Sequence, residues 1–192
     1  MDPFVYDPEE TVRTVRSRYW RHNDFGEDGG ESKKWEFFPI GPISIPIPNL
    51  EGRKKAIRYH DLHHVMTGYQ TDFIGELEIA SWEIGAGCGK MWFAWAINLQ
   101  GLMLGFLCNP RRCARAWARG RRSRSLYDRT VDDSLLDMKV GELRAQTDMP
   151  DPSLVPTGAD WLSYGLTAGL GIVLEVALLV ALVVGLWSLV AS

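Results

Sequence analysis

His60-Asp61-Leu62-His63-His64, followed twelve residues later by Glu76, is the stretch whose reading decides the fold. Three of the chain's four histidines fall inside it. Residues four apart share a helix face, so the imidazoles of His60 and His64 stack one above the other. Gly68 to Thr71 reads as a turn, and Asp72 as the N-cap of a second helix. His64 and Glu76 each stand six residues from Gln70. Two helices folded back about that centre bring these side chains to one height, across a gap of about 8–10 Å between axes. Two imidazoles with one or two carboxylates converging there make a divalent-metal site, with His60, Asp61, His64 and Glu76 as candidate ligands.

Asp61 sits about 100° around the helix from His60. It reaches a shared metal only from the helix edge; otherwise it orients a ligand imidazole from behind. His63 and His64 are adjacent and cannot face the same way, so His63 has no assigned role. The plainer alternative is a purely structural histidine cluster, and the spacing to Glu76 weighs against it. A protease of the H-E-x-x-H type would need a glutamate where Asp61 stands. The H-x-x-H-H box of membrane di-iron desaturases is matched by His60, His63 and His64, but such sites need several boxes and only His22 remains.

A third pattern, H-D-x-x-H followed by eleven residues and a glutamate, fits without a gap. In it the chain resembles the ubiquinone (coenzyme Q) biosynthesis protein 4 family. The likeness runs through His60 to Gly68 and Gly75-Glu76, continues in Glu78 and Trp82-Glu83, and returns in Trp117 to Arg122 and Leu135 to Arg144. It covers about residues 35 to 148. The resemblance implies an all-helical protein whose divalent-metal ligands are His60, Asp61, His64 and Glu76. It implies work on a polyprenylated quinone precursor at a membrane, in company with other quinone-biosynthesis enzymes. The implied chemistry is at ring carbon 1, where a hydroxyl replaces the carboxylate by oxidative decarboxylation, a metal-dependent lyase activity.

Composition favours a membrane-associated chain. Its 192 residues suffice for one domain with its own core plus an appendage. The 21 basic and 24 acidic residues leave a net charge of −3, and no nucleic-acid partner is expected. Three cysteines without C-x-x-C spacing suit a reducing compartment. Met1 to Asp7 is acidic and lacks the apolar run of a secretory signal.

From Trp161 to Ser192 the one charged residue is Glu175, in a run of Leu, Val, Ala and Gly. A span needs about 20 apolar residues, so a single transmembrane helix is expected here, with Trp161, Tyr164 and Trp187 at the interfaces. Glu175 in mid-span marks a helix contact or a polar function. Gly165 and Gly169 form a small-x-x-x-small pair, a weak pointer to a homo-oligomer. Met91 to Cys108 is a second uncharged run of 18 residues, expected to be a core helix. The arginines from Arg111 to Arg124 after it predict a cationic patch facing anionic head groups or a substrate phosphate, which places the domain on the cytoplasmic side.

Elsewhere, Asp7-Pro8-Glu9-Glu10 predicts a helix start. Trp35 to Asn49, with four prolines, predicts an extended strap with Ile43, Ile45 and Ile47 on one side. Helices are expected over Leu50 to Thr67, Asp72 to Gly85 and Asp132 to Thr147. The organisation is then a helical metal- and lipid-binding domain (1–148), a proline-rich linker (149–158) and a transmembrane anchor (159–192). The fold class is all-α, with a metal-binding helix pair and a C-terminal single-pass helix. The donor set suits zinc and also admits magnesium or manganese. No flavin or nicotinamide fingerprint is present. Two other functions fit the same features: a non-catalytic isoprenoid-lipid-binding scaffold for a quinone-biosynthesis complex, and a membrane-anchored metallohydrolase.

Overall fold

The computed structural model describes residues 6–30, 32–40, 43–48 and 50–191. Among them the chain forms eight helices and one two-stranded hairpin. The helices are α1 (Val12–His22), α2 (Glu51–Thr67), α3 (Phe73–Ala86), α4 (Trp92–Cys108), α5 (Pro110–Gly120), α6 (Asp133–Leu136), α7 (Val140–Gln146) and α8 (Gly158–Ala191). Strands β1 (Trp35–Ile40) and β2 (Ile43–Pro48) pair antiparallel, Trp35 opposite Pro48 and Ile40 opposite Ile43. The extended strap is thus a hairpin, where prolines are tolerated because each strand has a free edge. The side chains of Ile43, Ile45 and Ile47 lie outside the described residues.

Helix α3 is the centre of the fold. Its Leu77, Ile79, Ala80, Trp82 and Ile84 are buried between α4 and α5. Glycines let the backbones close in. A Cβ on Gly120 would lie 2.2 Å from the Trp82 carbonyl oxygen, and one on Gly101 would lie 2.5 Å from the Ala80 Cβ. The polar side chains Glu78, Ser81 and Glu83 are buried as well, so α3 is covered on most sides.

Two boundaries differ from expectation, both for tertiary reasons. Asp7 accepts from the Glu9 amide and closes a turn, while α1 starts at Thr11, whose side chain accepts from the Thr14 amide. The single helix expected over Asp132 to Thr147 is broken into α6 and α7. At the break, Met138 accepts from the Val12 amide and the Val140 amide donates to Glu10, so the backbone pairs with the start of α1.

Among the described residues one helix is long and apolar enough to cross a membrane: α8, over Gly158–Leu189. Its first turns are docked on the domain. Asp160 pairs with Arg122 at 2.9 Å, Ser163 accepts from the Trp117 indole, and Tyr164 and Ala168 are buried. Beyond Glu175 every described side chain to Leu189 is exposed.

Candidate metal centre

The turn between α2 and α3 sets the site. Gly68 ends α2 in the left-handed conformation, φ 74°, and its amide bonds back to the His64 carbonyl at 2.9 Å. Asp72 caps α3 by accepting from the Gly75 amide at 2.7 Å. A Cβ on Gly75 would fall 2.0 Å from the Gln70 carbonyl oxygen, so the first turn of α3 rests on backbone that only glycine admits. Arg144 from α7 donates to the carbonyls of Met66 (2.8 Å) and Val65 (3.4 Å), holding the last turn of α2. Glu76 is thereby returned over the histidine face of α2.

The donor atoms of His60, His64 and Glu76 lie within 4.8 Å of one another, a group able to hold a metal ion. His60 Nε2 is 3.2 Å from His64 Nε2 and 3.2 Å from Glu76 Oε2; His64 Nε2 is 3.5 Å from Glu76 Oε1. The His64 side chain is fully buried, while that of Glu76 is 44% exposed, so the group opens to the outside past Glu76.

Both rings are held from behind. His60 Nδ1 donates to Glu83 Oε1 at 3.0 Å, and His64 Nδ1 donates to the Tyr69 carbonyl at 2.9 Å. Each Nε2 is left facing the other and Glu76. Two bare lone pairs at 3.2 Å repel, so the arrangement calls for a cation between them, a proton or a metal. The electrostatics agree. Burial alone would lower the His60 pKa, but the Glu83 charge and the hydrogen bonds to Glu76 and Glu83 reverse this and raise it well above the usual imidazole range. Glu76 and Glu83 resist burial's upward push and are held far below the carboxylate range, Glu76 by hydrogen bonds to both histidines and Glu83 chiefly by the charge of His60.

Glu83 is the residue that sequence reasoning missed in this role. It is fully buried and gathers donors from three directions: His60 and His63, the Tyr127 hydroxyl at 2.7 Å, and the Asn98 amide. Its position seven residues after Glu76 was the available signal, since that spacing returns to the same helix face. His63 is explained by the same carboxylate. Its Nδ1 donates to Glu83 at 2.7 Å and its Nε2 accepts from the Leu126 amide at 2.9 Å, so both nitrogens are engaged and burial lowers its pKa. His63 ties α2 to α3 and to the turn at Leu126.

Asp61 is not in the group of three. It is buried on the side of α2 facing α1, where Oδ2 accepts from the Trp20 indole at 2.7 Å, and burial pushes its pKa up to about 6. Of the seven arginines in the expected patch, three are ion-paired and one is buried, while Arg111, Arg115 and Arg121 are exposed. Arg112 meets Glu78 at 2.5 Å, Arg122 meets Asp160, Arg124 meets Asp148 at 2.6 Å, and Arg119 is buried. No protein-family model matches this chain, and no curated protein or solved structure matches it either.

Proposed function

We propose that the chain binds one divalent metal, zinc by preference, through His60, His64 and Glu76. We propose also that it acts with this metal on the head group of a polyprenylated quinone precursor at a membrane. The observation that carries the metal is the convergence of two Nε2 atoms whose rings are each fixed through Nδ1, the arrangement by which proteins prepare histidine for a metal. A donor set of two imidazoles and one carboxylate supports zinc.

A bound divalent ion supplies Lewis acidity toward a carboxylate or phenol oxygen. The chain's own residues do the rest. His64 and Glu83 hold their partners in a water-poor floor, and the exposed edge of Glu76 leaves a way in for a head group. The likeness of His60 to Gly68 and Gly75-Glu76 to the ubiquinone biosynthesis protein 4 family supports a prenylated hydroxybenzoate substrate and reaction at its ring carbon 1. Replacing carboxylate by hydroxyl is an oxidation, so the oxidant comes from outside this chain.

The apolar α8 supports membrane attachment. The bias of basic residues toward the cytoplasm supports the domain on that face, and company with other enzymes of quinone biosynthesis follows from the family reading. Complementation is the test. In a strain lacking quinone because its own counterpart is deleted, the wild-type chain restores quinone and Glu76→Gln, with its fold checked by circular dichroism, does not. Full restoration by Glu76→Gln would contradict a catalytic metal and leave a lipid-presenting scaffold.

A further inference from the structure

Helix α4 turns an apolar side outward. Trp92, Trp95, Ile97, Leu104 and Leu107 are exposed, Trp92 at 69%, and Gln100 is the polar residue among them. No charge occurs between Met91 and Cys108, and Asn98, the other polar side chain, is turned inward to Glu83. A helix at a water-facing surface carries its polar residues outside; this one does not.

The path of α8 says what covers its N-terminal end. Tyr164 packs on Phe106 with ring centroids 5.7 Å apart, and its hydroxyl reaches the Leu102 carbonyl at 3.5 Å. Seven residues on, Gly171 lies against Met103 and Leu99. Numbers rise along α8 as they fall along α4, so the helices are antiparallel. About two turns past Gly171, α8 draws level with Trp95 and Trp92. That is where its docked stripe of Tyr164, Ala168, Gly171 and half-buried Glu175 ends and its wholly exposed apolar part begins. The N-terminal end of α4 therefore points the way α8 leaves the domain. It presents two tryptophans there, with Lys90 two residues before Trp92.

We infer that Trp92 and Trp95 are an interfacial foot, sunk into the lipid head-group layer where α8 enters the bilayer. The inference rests on the exposed apolar end of α8 entering a membrane. Indole rings favour that layer, and a flanking lysine reaches the phosphates. Glu175, about one turn past Gly171, lies on the domain side of that level, so its carboxylate sits near the head groups rather than in mid-hydrocarbon. The foot also adjoins the start of the helix that carries His60 and His64. Phe93 touches Gly52 at the start of α2, whose Cβ position is 3.2 Å from its ring. His60 follows eight residues later on the same helix, about 12 Å along its axis.

The test uses the full chain in phosphatidylcholine–phosphatidylglycerol vesicles, with Cys108→Ser removing the exposed thiol. Trp92→Cys, Leu107→Cys and Val183→Cys, each made separately, carry an environment-sensitive fluorophore, with Cys88 and Cys113 left buried, and lipids bear nitroxides at shallow or deep acyl positions. The account expects loss of emission at 183 with deep nitroxides, at 92 with shallow ones, and at 107 with neither. Quenching at 183 without quenching at 92 overturns the foot while leaving the anchor. No quenching at 183 removes the anchor itself. A fluorophore at 92 that is shielded from water yet not quenched means that protein covers this end, a second copy included, and also overturns the proposal.

Discussion

Glu83 Oε1 lies 3.0 Å from His60 Nδ1, and this contact fixes which nitrogen of His60 faces the metal centre. The carboxylate is fully buried and shared with His63, Tyr127 and Asn98. A charge so placed is tolerated because each oxygen is met by donors, and it makes His60 a stronger ligand.

Glu83→Gln keeps the shape but loses the charge and turns an acceptor into a donor. Metal affinity should fall by about 10–100-fold, the usual effect of losing a carboxylate behind a ligand imidazole. Competition against a chromophoric chelator measures it. Unchanged affinity would show that Glu83 serves packing alone.

Metal binding should release protons. Without metal, His60 is held protonated between Glu83 and Glu76, its pKa raised above the usual range. A group raised in this way keeps its proton at neutral pH and gives it up as pH rises through the folded value or as a metal takes its place. Titration calorimetry at neutral pH, in buffers of differing ionisation enthalpy, should show at least part of a proton released per metal, and affinity should rise with pH. Heats independent of the buffer would contradict the picture.

Asp61 makes a separate pH-dependent contribution to stability. Its carboxyl titrates near pH 6 in the folded chain, against 3.8 in the unfolded one, so the folded state holds the proton longer. The associated stability is complete below about pH 4 and is lost as pH rises through 6, on the order of 2–3 kcal/mol. In chelator-treated protein, Asp61→Asn should lose less stability than wild type between pH 4 and 7. Denaturant melts across that window measure the difference; parallel curves would show that the Trp20 contact holds Asp61 ionised throughout.

The histidine face was legible because its logic is local. His60 and His64 share a helix side, Gly68 and Asp72 mark the turn, and the equal spacing about Gln70 predicts that Glu76 returns opposite them. Glu83 carried one local sign, its spacing of seven from Glu76, but its joint pairing with His60, Asn98 and Tyr127 depends on tertiary packing. The same holds for the arginines after α4. As a sequence they read as a patch, yet Glu78, Asp148 and Asp160 lie far off in the chain and meet several of them. The break between α6 and α7 is likewise tertiary, imposed by backbone pairing with Glu10 to Val12. The outward apolar side of α4 was hidden by the opposite problem, since a helix without charges carries no mark of which side is covered.

The central claim is a metal held by His60, His64 and Glu76, and elemental analysis of the purified full chain tests it most directly. Wild type should carry one zinc per chain after gel filtration, and His64→Ala, folded by circular dichroism, should carry next to none. Equal and substoichiometric metal in the two proteins would contradict the site.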